Sequence, residues 1–219
     1  MIHSIRGVIL DMDGTLIDSM GIWHEIDKQF FEENHLTAPE NISNLVNKMT
    51  MQEWAEFFIR EFHMNLTTEQ VIQRIGEICY EYYRDIIAIK PFVTEFLDFF
   101  DESHIPYGIA TATYRDSAHA VLKRLGILNR MQFILTADDV PSSKKTPEMF
   151  LKSAELLGEH PEQILVVDDA LHCIRTAVSA GFVTAAVYDP SVPADEWSEM
   201  TRISRISGMN LHEILLKFS

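Results

Sequence analysis

From Phe92 onward the sequence alternates between stretches of helical periodicity and short apolar runs, and few folds accommodate that rhythm. Helical patterns over 92–103 and 116–125 are followed by strand-like runs at 107–111 and 133–136. Thr146-Pro147-Glu148 reads as a cap with proline at the first helical position, opening a helix to Leu157. A strand at 164–167, a helix over 171–180 and a strand at 182–188 follow, then a last strand around 203–206 and a helix over 210–217. Strands separated by helices pair in parallel through crossovers, and both faces of such a sheet are covered. The expected class is therefore α/β, a doubly wound parallel sheet.

One strand of that sheet lies far from the others. Residues 5–10 form an apolar run, and the pattern then becomes helical from about Ser19 to Ile89 with few strand candidates. Ser19 is placed to N-cap a helix running to about His35, with Ile22, Trp23, Ile26, Phe30 and Phe31 on its apolar stripe. Ala38-Pro39 and Thr67-Thr68 punctuate the block, a long helix is expected over 69–89, and Lys90-Pro91 breaks the pattern. An all-helical domain over 17–90 is thus inserted into a discontinuous core made of 1–16 and 91–219.

The insertion begins directly after the most unusual string in the chain. Residues 8–19 read Val-Ile-Leu-Asp-Met-Asp-Gly-Thr-Leu-Ile-Asp-Ser. Two carboxylates, Asp11 and Asp13, stand at the mouth of a buried strand, where they cost stability unless a cation or donors meet them. In an open parallel sheet, ligands bind outside the carboxyl ends of the strands. Three more strand ends carry matching chemistry: Thr111 ends the 107–111 run, Lys144 lies in the loop after 133–136, and Asp168 and Asp169 follow 164–167. Carboxylates, a hydroxyl and an ammonium at one sheet edge equip it for a divalent cation and a phosphoryl group.

Composition narrows the partners. The 219 residues carry a formal charge of −15, which opposes non-specific binding to nucleic acid or to an anionic membrane. An anionic substrate must then be met by local lysine, Mg²⁺ or backbone N–H groups. Hydrophobic content of 47% and charged content of 23% fit a globular chain without a membrane span. Cys79 and Cys173 are too few for a disulfide framework, no zinc-type spacing occurs, and no signal peptide is evident, so a reduced, cytoplasmic protein is expected. The oligomeric state is not written in the sequence.

The string Asp11-Met-Asp13-Gly14-Thr15 resembles the first motif of the haloacid dehalogenase-like (HAD) phosphotransferases. The resemblance extends along nearly the whole chain, with Thr111 matching the second motif, Lys144 the third and Asp168/Asp169 the fourth. The inserted block is similar to a helical C1-type cap on a Rossmann-like core. Two departures stand out. Relatives often read Lys-Pro-x-Pro-Asp/Glu-x-Phe in the third motif, whereas this chain has Lys144-Lys145-Thr146-Pro147-Glu148-Met149-Phe150. An acid common four residues after Asp169 is here Cys173.

The resemblance implies a Mg²⁺-dependent phosphatase acting on a small phosphorylated metabolite. Asp11 would be the nucleophile toward phosphorus and Asp13 the general acid and base. Thr111 and Lys144 would bind the non-bridging oxygens. Asp11, the backbone carbonyl of Asp13, and Asp169, with Asp168 as outer partner or alternative, would hold the metal. Gly14, Thr15 and Ala112 are expected beside the substrate, with Lys48 contributed by the helical domain. Trp23 and Trp54 read as core of that domain and His24 as a surface residue.

Two rival readings use the same scaffold. β-Phosphoglucomutase-like isomerases usually carry a histidine ten residues after the second aspartate, where this chain has Trp23 with His24 displaced by one. Dehalogenases resemble the chain but lack the second acid, Asp13. A non-catalytic phosphate-binding module is the alternative from outside enzymology.

Overall fold

The computed structural model describes residues 4–37, 51–140 and 143–218, which fall into two compact units, 1–19 with 88–219, and 20–87. Ala38-Pro39 and Lys48 lie outside the described residues.

The first unit is built on a six-stranded, all-parallel sheet. Its strands are β1 (Gly7–Leu10), β2 (Tyr107–Ala110), β3 (Ile134–Leu135), β4 (Ile164–Asp168), β5 (Val183–Val187) and β6 (Ile206–Gly208). The spatial order is β3-β2-β1-β4-β5-β6, with Leu10 opposite both Ile109 and Val167. The chain leaves β1 toward β2 and β3, then returns to build β4, β5 and β6 on the other side. The switch point between β1 and β4 is the place where such sheets open a crevice at their carboxyl ends. Every residue of β1, β2 and β4 is buried, so these runs carry no polar alternation. Ile9, Ala110 and Val166 pack with Met149, Phe150 and Ala177 from the covering helices.

Among the described residues, the helices of this unit are α4 (Val93–Glu102), α5 (Arg115–Arg124), α6 (Glu148–Leu157), α7 (Leu171–Ser179), α8 (Ala194–Ile203) and α9 (Leu211–Leu216). Two expectations need correction here. The strand read around 203–206 lies at Ile206–Gly208, and residues 194–203 form α8, which the strand–helix alternation did not reveal. Pro147, not Thr146, holds the cap position of α6, and no side chain caps that end.

The second unit contains α1 (Ile22–Glu33), α2 (Met51–Glu61) and α3 (Thr68–Asp85). Its core is aromatic: Phe31 meets Phe58 edge-on with centroids 4.8 Å apart, and Trp54 lies 4.1 Å from Phe58. Thr67 and Gln70 close a reciprocal capping box at the start of α3, which ends at Asp85 rather than at 89. Trp54 is buried as expected, but Trp23, in the first turn of α1, is 45% exposed, whereas Ile22, Ile26, Phe30 and Phe31 along the same stripe are buried. His24 is exposed. Gly21, not Ser19, precedes α1, and no side chain caps that helix.

The two chain crossings between the units are paired within the first one. Ile17 bridges Ile89 in antiparallel fashion, the Asp18 amide donates to the Ala88 carbonyl at 2.9 Å, and the Lys90 amide donates to Leu16 at 2.9 Å. Residues 17–19 and 88–90 therefore belong to the sheet-bearing unit, which moves the division a few residues from 16/17 and 90/91.

Candidate active site

The loop after β1 is shaped by one glycine. The Asp11 amide continues the ladder onto Val167 at 2.9 Å, and the chain then turns so that the amides of Leu16 and Ile17 both reach the Met12 carbonyl. Gly14 adopts φ +78°, and a Cβ built on it would stand 2.2 Å from Oδ2 of Asp169. Only glycine allows both that conformation and that approach. Beside it, the buried Thr15 hydroxyl donates to Asp169 Oδ1 at 3.0 Å. The loop from β1 and the end of β4 are thereby locked face to face.

Charge is concentrated where they meet. Lys144, in a short helical turn over 143–145, is buried and forms ion pairs with both Asp11 and Asp168, the latter at 2.7 Å. Asp168 Oδ1 also accepts the Ala170 amide at 2.9 Å. Oxygens of Asp11, Asp168 and Asp169 all lie within 4.8 Å of one another, and all three residues are buried. One ammonium among three carboxylates leaves the cluster short of positive charge. Burial pushes the Asp11 carboxyl well above the usual range, and Asp168, Asp169 and Asp13 push the same way against Lys144. Burial and Asp168 together raise Asp169 to about 7, opposed by Lys144 and the Thr15 hydroxyl. Burial pulls Lys144 down, but Asp11 and Asp168 outweigh it, so its ammonium stays charged. A buried all-oxygen donor set with excess negative charge fits a hard divalent cation such as Mg²⁺.

Asp13 faces different partners. Its Oδ1 accepts the Ser19 hydroxyl at 2.7 Å, and its Oδ2 accepts the hydroxyls of Thr113 at 2.6 Å and Thr111 at 3.2 Å. Its carboxylate is not in the trio around Lys144, which leaves the side chain for a separate task. Thr111, fully buried at the end of β2, also accepts the Thr113 amide at 3.1 Å. Ala112, between the two threonines, is exposed at the rim.

The structure thus brings Asp11, Asp13, Gly14, Thr15, Thr111, Lys144, Asp168 and Asp169 into one cluster beyond the carboxyl ends of the strands. It also adds residues to which the sequence reading gave no part in the site. Ser19 serves Asp13 rather than a helix end, because its hydroxyl is already committed there. Thr113 was hidden three residues past β2, although the Thr-Ala-Thr repeat is a readable signal. Lys90 and Asp189 pair beside Gly14 across 99 residues of sequence, a separation that no local pattern discloses. Cys173, standing where an acid is common in similar chains, is a buried thiol whose pKa burial drives upward, so it adds no charge.

Comparison with known proteins places this geometry in context. The family model described as haloacid dehalogenase-like hydrolase matches residues 8–187. A phosphorylated carbohydrates phosphatase from Thermotoga maritima is 25% identical over 177 residues, covering 81% of this chain and 82% of the relative. Pyrophosphatase PpaX from Oceanobacillus iheyensis is 28% identical over 186 residues, with 84% of each chain covered. Among solved structures, a Thermotoga maritima protein provisionally named β-phosphoglucomutase superposes with a TM-score of 0.87 at 23% identity over 98% of both chains.

Proposed function

The chain belongs to the haloacid dehalogenase-like hydrolase family, and from that premise we propose that it is a Mg²⁺-dependent phosphatase of a small phosphomonoester, working through an aspartyl-phosphate on Asp11. One observation carries the reading: Lys144 bridges Asp11 and Asp168 inside a buried carboxylate trio, while Asp13 is held apart by three hydroxyls. The two first-motif aspartates are thereby separated into two environments, as a nucleophile and a proton carrier require. The phosphorylated carbohydrates phosphatase named above supports the substrate class. No helix among the described residues is long and apolar enough to cross a membrane. A cytoplasmic location and a phosphorylated carbohydrate as substrate belong to this proposal.

Asp11, Asp169 and the Asp13 carbonyl, with Asp168 behind them, would hold Mg²⁺, which when bound screens the negative charge of carboxylate and phosphate toward each other. Asp11 attacks phosphorus and the bond to the leaving oxygen breaks. Asp13, carrying a proton, gives it to that oxygen and then takes one from the water that hydrolyses the acyl phosphate. Lys144 and Thr111 bind the non-bridging oxygens and neutralise charge on the group in transfer. The helical unit is assigned the role of a cap that selects the leaving alcohol, with Lys48 as its candidate contact.

A phosphate-release screen over sugar phosphates, phosphoglycolate and nucleotides, run with Mg²⁺ and with EDTA, tests the proposal. Mg²⁺-dependent release from a small ester is expected, and undiminished release in chelator overturns it. Conversion of an aldose phosphate to its isomer without release of phosphate would favour a mutase, and binding without turnover would favour a non-catalytic module.

A further inference from the structure

We propose that Lys90 and Asp189 form a positioning pair that fixes the loop bearing Asp11 and Asp13 against Asp169, an inference that rests on the phosphatase reading above. The Lys90 ammonium donates to the Gly14 carbonyl at 2.5 Å and to Asp189 Oδ2 at 2.6 Å. Asp189 follows β5 and is buried, and its Oδ1 accepts the amide of Ser191 at 2.9 Å and its hydroxyl at 2.6 Å. The anchor is therefore rigid before the lysine reaches it.

Lys90 grips the loop twice. Its main-chain amide donates to Leu16 and its side chain to Gly14, so one residue fixes both arms of the turn after Asp13. The position of Gly14 is consequential, because this residue packs directly against the Asp169 carboxylate. A shift of the Gly14 carbonyl would change how closely the first-strand aspartates approach the end of β4. An exposed lysine–aspartate pair contributes little, but here the two side chains are only 16% and 3% exposed. A pair so largely withdrawn from water is costly to assemble and sets geometry more than stability. Lys90 also stands two residues after Ala88, where the chain re-enters the sheet-bearing unit, so the second crossing is fastened to the catalytic loop.

The test compares the full chain with Lys90→Met, Lys90→Arg, Asp189→Asn and the Lys90→Met/Asp189→Asn double variant. With p-nitrophenyl phosphate and Mg²⁺, Lys90→Met and Asp189→Asn should each lower kcat by roughly ten- to a hundredfold with KM little changed, the scale of a small misplacement of catalytic groups. The double variant should lose no more than the worse single one, because the two residues act as a unit. Lys90→Arg should recover part of kcat. Asp189→Asn keeps the shape of the side chain and serves if Lys90→Met fails to fold. Amide exchange over residues 13–17 supplies a readout independent of turnover and should accelerate in Asp189→Asn. Unchanged exchange, or a lowered Tm with unchanged kcat, overturns the pairing. A wild-type protein that releases no phosphate defeats the phosphatase reading, and the exchange comparison still decides the positioning claim.

Discussion

Raising the pH of the cation-free protein should destabilise it, and Asp169 should account for much of the loss. Burial first and Asp168 second move its carboxyl from 3.8 to about 7. A carboxyl with a raised folded-state pKa binds its proton more tightly in the folded state than in the unfolded one. Its contribution is therefore complete below the unfolded value and is lost as pH rises through about 7. Three units at about 1.4 kcal/mol each make the full loss about 4 kcal/mol. For a chain of this size that is on the order of 10 °C in Tm. Asp139 and Asp189 are shifted the opposite way, so their contributions are lost only below the usual carboxylate range, outside this window. The assay is a set of thermal melts in EDTA from about pH 5 to about pH 8 for the wild type and Asp169→Asn. The wild-type Tm should fall across that range and the variant's should fall much less, with Asp11 supplying the residual slope because it is pushed the same way. Mg²⁺ should abolish the wild-type fall, since a cation replaces the protons that the trio otherwise holds. Parallel curves for the two proteins in EDTA would refute the reasoning.

Other outcomes follow from the same geometry. Asp11→Asn should lower kcat by at least about a thousandfold in a phosphate-release assay, because it removes the nucleophile. Asp13→Asn should lower it by roughly a hundred- to ten-thousandfold, with the first step partly rescued by a reactive leaving group, which burst kinetics with p-nitrophenyl phosphate would show. Gly14→Ala should nearly abolish activity and lower the Tm, since its Cβ has no room against Asp169 and its φ is +78°. Beryllofluoride with Mg²⁺ should compact the molecule in small-angle scattering and slow exchange around 16–19 and 89–92; no change in either would mean that the helical unit does not close over the site.

The chemistry of the site was legible because it sits at strand ends. Asp11 and Asp168/Asp169 stand at the ends of apolar, β-branched runs that mark buried strands, Thr111 and Lys144 come after shorter apolar runs, and the parallel order brings those ends together. The support around them was not legible. Ser19 suits a helix start as well as a carboxylate, and only the turn of the chain decides for Asp13. Lys90 reads as the end of a helix beside Pro91, and its partner Asp189 lies at a fifth strand end far along the sequence. Helix α8 buries fully only Met200, so its apolar stripe was too thin to separate from a loop. Trp23 keeps the helical period, seven residues before Phe30, but it stands in the exposed first turn of α1, and period alone does not show where along a helix the stripe is covered. Where a residue's role depended on a distant partner, local pattern could not supply it.

The central claim is that Asp11 takes the phosphoryl group, and rapid acid quench during turnover followed by peptide mapping tests it most directly. With Mg²⁺ and a turned-over phosphomonoester, phosphate should appear on the peptide containing Asp11, and none should appear in the Asp11→Asn protein. Phosphate trapped on another residue, or retained by the Asp11→Asn protein, would contradict the account.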